Sequence, residues 1–181
     1  MKLALSILAL ANFLFPQKEI YNIQFKGLNG DTIDMASYRG KKIIVAGFAS
    51  GGTDLSEWRL LDSLYRKNQN KLVVIAVPLS DLVSVNSGVV PTKQMLRDSL
   101  HISFPIAAQG KGRKEQGANQ QPLLHWLTNK EENGHFNTDI VEDGQLFIIN
   151  EAGRLYAVLR KKSLYKKALI DRILNEKAIH P

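Results

Sequence analysis

Two apolar runs separated by one amphipathic stretch constrain the fold of this chain more than anything else in it. Residues 42–50 (KIIVAGFAS) and 72–77 (LVVIAV) are rich in apolar residues without the in-out alternation of a half-exposed strand. They read as central strands covered on both faces. Between them, Leu55, Trp58, Leu61, Leu64 and Tyr65 recur at helical spacing. Asp54 stands at the N-cap of that helix and Glu57 at the reciprocal capping position. Strand, helix and strand in this order predict a parallel pair joined by a right-handed crossover, with the second strand ending at Pro78. An α/β sheet is the expected result.

The flanking segments extend that pattern. Residues 20–25 alternate apolar and polar and lead into Leu28-Asn29-Gly30-Asp31, a hairpin signal. Residues 81–90 read as a long loop of small residues, and Pro91 suits the first turn of a short helix through Leu100. Residues 102–107 read as an edge strand because Pro105 cannot donate to a ladder. Residues 109–121 (QGKGRKEQGANQQ) form a polar, mostly basic loop, after which Pro122 opens a helix over 123–127. Residues 145–149 and 155–159 flank Asn150-Glu151-Ala152-Gly153 as a second hairpin. Ser163 is the expected cap of a last helix with Tyr165, Leu169 and Ile173 on one stripe and Ile170 and Leu174 beside it. Trp58 and Trp126 fall at apolar helical positions and are expected in the core.

The N-terminus calls for a different reading. Lys2 precedes an apolar run from Leu3 to Phe15, and Ala9-Leu10-Ala11 has the small-x-small form of a cleavage site. Residues 1–16 are therefore expected to be a secretory signal or an apolar N-terminal segment, with 17–181 as one domain. The run is too short to span a bilayer as a helix, so no stable transmembrane anchor is expected. Export to the periplasm or the extracellular space follows, with a cytoplasmic location as the alternative. The excess of 24 Lys and Arg over 17 Asp and Glu, a formal +7, favours acidic partners or surfaces. Nucleic acid is not an expected partner, because the basic stretch of Arg160, Lys161, Lys162, Lys166 and Lys167 has no interleaved aromatics for base stacking. Those residues read as the polar flank of the last helix.

Several local strings, taken in order, resemble the glutathione peroxidase family of the thioredoxin-like fold. Residues 27–50 (GLNGDTIDMASYRGKKIIVAGFAS) look like its opening hairpin, its Tyr-x-Gly-Lys turn at Tyr38, Gly40 and Lys41, and its first core strand. Residues 121–127 (QPLLHWL) are similar to its His-Pro-Leu-Tyr-Lys-Trp-Leu helix, and 147–154 (FIINEAGR) to its late strand, turn and strand. The resemblance implies a central mixed sheet flanked by helices with an N-terminal β-hairpin. It covers the chain from about Ile20 to the C-terminus.

The family's catalytic residues do not carry over. In an ungapped register the peroxidatic cysteine or selenocysteine falls on Gly52, the active-site glutamine on Asp81, and the Trp-Asn pair on Glu142 and Asp143. No cysteine occurs anywhere in the 181 residues. Peroxide reduction of this type needs a sulfur or selenium nucleophile activated as its anion and able to pass through a sulfenic or selenenic acid. Glycine supplies none. Carboxylates at the remaining positions would also repel a thiolate and raise its pKa.

Other chemistry is weaker. Ser50, Gly51, Gly52, Thr53 and Asp81 mark a vestigial pocket, with Gly51-Gly52 able to leave an anion-accepting notch that Asp54 would fill by capping the helix. Asp81, Glu142 and Asp143 could gather as an acid-base pair or a hard-metal site, against a default reading as solvated turn residues. Ser50 and Thr53 have no identifiable His-Asp arrangement to activate them. His101, His125, His135 and His180 lack paired ligand spacing, and 110–114 (GKGRK) lacks the context of a nucleotide loop. No metal and no cofactor is implied. The expected function is a degenerate glutathione-peroxidase-like protein that binds an unknown protein or small-molecule ligand. The alternatives are a peroxidase by family similarity and a carboxylate-based enzyme of another class.

Overall fold

A computed structural model describes residues 18–51, 55–83 and 92–177 of the chain. The expected cleavage site, the Gly52 position, Thr53, the Asp54 cap and most of the 81–90 segment lie outside the described residues, as does His180. The architecture is built on a four-stranded sheet of order β4-β3-β5-β6, from β3 (Lys42–Gly51), β4 (Leu72–Val83), β5 (Gln145–Ile149) and β6 (Leu155–Leu159). A separate antiparallel hairpin pairs β1 (Gln24–Lys26) with β2 (Thr32–Asp34).

β3 and β4 are parallel, in register from Lys42 opposite Leu72 to Ala49 opposite Leu79, and α1 (Leu55–Asn68) connects them. β3 and β5 run antiparallel, so the sheet is mixed. Alternate residues of β3 serve opposite cores. Ile43, Val45 and Ala49 meet the hairpin residues Phe25 and Ile33 and the helix α2 (Pro122–Thr128), which contributes Leu123, Leu124, Trp126 and Leu127. Ile44, Ala46 and Phe48 meet Trp58 and Leu61 of α1 and Ile170, Ile173 and Leu174 of the last helix. Burial on both faces is why neither apolar run alternates. Phe48, Trp58 and Phe104 stack in sequence, with ring centroids 4.4 and 6.0 Å apart. Both tryptophans are core residues, as expected.

Six local expectations change. Residues 20–25 are not one strand: Ile20–Asn22 form a 3₁₀ turn, with Ile20 and Tyr21 both buried and Ile23 N donating to Ile20 O. β4 does not end at Pro78 but runs to Val83, so Asp81 is a strand residue and not a loop residue. Pro78 is tolerated because its missing N–H falls on the outer ladder. There, Ala76 N donates to Pro105 O, Ser80 N to Gly110 O, and the Pro78 carbonyl accepts from Gly110 N. The expected strand over 102–107 is reduced to bridges at Ile106 and Ala107. The polar loop 109–121 contains a 3₁₀ stretch, Lys114–Asn119, broken at Gly117 with φ +53. Ser163 caps nothing, since it lies inside the 3₁₀ turn Lys161–Tyr165, and the last helix, α4 (Lys167–Asn175), begins after it. A short helix, α3 (Lys130–Asn133), follows α2, and a π-helical turn covers Met95–Ser99 where a longer helix was expected.

The turns follow their sequence signals closely. Gly30 takes φ +84 in the first hairpin, and Gly153 takes φ +78 in the second. There Asn150 Oδ1 accepts from Ala152 N and Arg154 N. Among the described residues no helix is long and apolar enough to cross a membrane.

Candidate functional site

The C-terminal end of β3 is where the family resemblance places the chemistry, and two different structures flank it. On the β4 side the register jumps from Ala49 opposite Leu79 to Gly51 opposite Val83, so Ser80, Asp81 and Leu82 bulge across Ser50. A bulge re-aims side chains. The Asp81 carboxylate accepts from Gly112 N at 2.8 Å and Arg113 N at 2.9 Å, binding β4 to the polar loop. Asp139 does the same for Lys114 N at 3.0 Å. Buried Gln120 donates to Gly112 O and to Thr128 Oγ1. The glycine-rich loop therefore directs its amides at the chain's own carboxylates.

On the β5 side a second cluster assembles. Gly144 N donates to Gly47 O, which brings Asp143 alongside β3, where its Oδ1 accepts from Ala49 N at 2.8 Å. Lys161, just after β6, reaches back into the same space. Its Nζ lies 3.0 Å from Glu57 Oε1 and 3.5 Å from Asp143 Oδ2. The Glu57 side chain is 1% exposed, Asp143 13% and Lys161 28%, so this is a carboxylate-ammonium-carboxylate triad with one buried and two partly exposed members. The Tyr165 hydroxyl donates to Glu57 at 3.4 Å, and the Lys161 amide donates to Glu142 Oε1 at 3.0 Å. Arg160 lies 3.8 Å from the other Glu142 oxygen. Gly144 has φ +76, which favours glycine, and a Cβ there would sit 2.7 Å from Glu57 Oε2, so the Glu57 carboxylate would have to move.

Burial alone would pull the Lys161 ammonium toward deprotonation. The hydrogen bond and charge of Glu57, then those of Asp143, outweigh it and raise the pKa above that of a free lysine. Lys161 is thus a fixed cation at neutral pH and has no lone pair to act as nucleophile or base.

Of the residues singled out by sequence, Glu142 and Asp143 converge on Lys161, while Asp81 is bound to a separate loop. Among the described residues Asp81 and Asp143 share no partner. Ser50 and Gly51 belong to β3. His125 lies 3.3 Å from Gln120 Oε1 through Nδ1, and among the described residues no group of three His, Asp or Glu could hold a metal ion. Glu57 and Lys161 were not recognised as partners from sequence. The signal for Glu57 is its place four residues before Leu61 and next to Trp58, on the buried face of α1. Lys161 carries no such mark.

No protein-family model matches the chain. It is 25% identical over 138 residues to the glutathione peroxidase homolog BsaA of Staphylococcus epidermidis, covering 75% of this chain and 85% of that one. It is 29% identical over 115 residues to the probable glutathione peroxidase 8 of Danio rerio, covering 61% of this chain and 53% of that relative. Among solved structures, T. cruzi GPX1 superposes with a TM-score of 0.63 over 90% of this chain and all of the other, at 18% identity. The fold is of glutathione-peroxidase type. Trgpx in its apo form gives a TM-score of 0.62 over 89% of this chain and 99% of that one, also at 18% identity. The glutathione-peroxidase-type, thioredoxin-like scaffold is thus present in a chain without cysteine.

Proposed function

We propose that this protein is a glutathione-peroxidase-like scaffold without peroxidase activity, which acts by binding a protein or a small-molecule ligand. The observation that carries this reading is the lack of any cysteine in the chain, since the reaction class requires a sulfur or selenium nucleophile. The triad supports it, because Lys161 is paired with Glu57 and Asp143 beside the end of β3 as a fixed cation and not as a nucleophile. The relatives are named glutathione peroxidases; carrying that activity over would need chemistry that no residue of this chain supplies. The test is peroxide consumption by the pure protein with glutathione and with thioredoxin as reductants. No turnover above the buffer blank is expected, and turnover above it overturns the reading. We propose export as well, from the apolar run at residues 3–15. N-terminal sequencing of the native protein decides that point, and a start at Met1 contradicts export by cleavage.

A further inference from the structure

The two edges of the main sheet are treated differently. The outer side of β4 is covered by residues 105–110, with bonds such as Ala76 N to Pro105 O, Ala107 N to Ala76 O and Ser80 N to Gly110 O. β6 pairs with β5 on its inner side, and among the described residues nothing hydrogen-bonds to the main chain on its outer side. β6 is LYAVL: five uncharged residues without proline, four of them partly exposed. Such an edge is a template for an added strand.

Charge decides what adds there. Arg154 and Arg160 bracket the strand, and both are exposed. Arg160 is 3.8 Å from Glu142 with 79% of its side chain exposed, and Arg154 has no ion pair among the described residues. β6 is bulged at Tyr156 against β5, and a second copy paired antiparallel about Ala157 would bring Arg154 of each chain close to Arg160 of the other. Like charges directly opposite are destabilising. Acidic residues at both ends of the incoming strand would turn the same arginines into attractions. Beside the strand, a cleft of about 470 Å³ opens toward α4, with Tyr156, Ala157, Leu159, Leu169 and Ile173 among its walls; the exposed Lys177 lines it, as does Arg172, which is paired with Glu176 at 3.6 Å. An added strand places alternate side chains on that face. Apolar ones suit the walls, and an acidic one suits Lys177.

We propose that β6 is a docking edge for an extended peptide segment of a partner protein, apolar in its middle and carrying Asp or Glu at both ends. The test uses the full-length protein and an end-blocked heptapeptide with glutamate at each end and alternating valine and threonine between. Saturable binding, slowed amide exchange in β6, and about tenfold weaker binding of the same peptide with lysine ends are expected. The double variant Arg154→Glu/Arg160→Glu should reverse that preference. No binding of the glutamate-ended peptide, equal affinity for the two peptides, or slowed exchange confined to other elements overturns the proposal. So does a dimer by sedimentation whose β6 amides are already protected without peptide. The peroxide assay does not bear on this edge, so either reading fails without the other.

Discussion

Lys161 sets the charge balance at the candidate site. It is held by two carboxylates, one of them 1% exposed, so removing its ammonium leaves Glu57 buried without that cation. Lys161→Met is expected to cost about 3 kcal/mol in urea denaturation, and adding Glu57→Leu should recover most of the loss. A single variant as stable as the parent would show that the triad does little for the fold. Asp62 is a second buried carboxylate, accepting from Ser103 N at 2.6 Å, Ser103 Oγ at 2.7 Å and Arg66 Nε. Burial raises its pKa, but the bonds from Arg66 and Ser103 more than reverse that and hold it below the ordinary carboxylate value. A depressed folded pKa stabilises above the unfolded value of about 3.9 and loses that contribution as pH falls through the folded one. Asp62→Asn should therefore cost about 2 kcal/mol at neutral pH, with the gap from the parent closing below about pH 4. A gap independent of pH would contradict this assignment. The sequence marks Glu57 by its place on the apolar face of α1 but names the partner of neither acid, because a carboxylate there looks the same whether its partner is solvent or a side chain far away in the chain.

At the level of elements, the sequence was most readable where a short local rule decides the outcome. Asn29-Gly30 and residues 150–153 made their hairpins, and the two apolar runs became the parallel pair β3 and β4. It misled where a long-range partner decides. Pro78 read as a strand end, but the segment around Pro105 and Gly110 takes up the outer ladder and lets β4 continue into the bulge that carries Asp81. Ser163 read as a cap, yet the backbone turns at Lys166 before α4 starts. The union of β4 with the loop over 109–121 rests heavily on Asp81. Asp81→Ala should remove two charge-assisted bonds, cost about 2 kcal/mol, and speed amide exchange at Gly112 and Arg113 before the rest of the sheet. Unchanged exchange at those two amides would mean that Gln120 and Asp139 hold the loop without it.

Across the whole molecule, a glutathione-peroxidase-type architecture is built by a chain without cysteine. The sheet, its two cores and both hairpins need only burial and turn residues, and those were largely legible from residue 20 onward. The candidate site was legible only as a set of positions. Gly52, Asp81, Glu142 and Asp143 could be aligned with the family's catalytic residues, but the pairing of Asp143 with Lys161 and of Asp81 with Gly112 and Arg113 required the fold. The central claim of the proposed function is that more than one atom separates this chain from a peroxidase, because fixed ion pairs stand beside the described end of β3. Placing cysteine at position 52, as Gly52→Cys, tests this most directly through the titration of the new thiol and its peroxide turnover. The account predicts a thiol titrating near or above the free-cysteine value of about 8.5, with turnover indistinguishable from blank. A thiolate forming well below about pH 7, with measurable peroxide consumption, would contradict it.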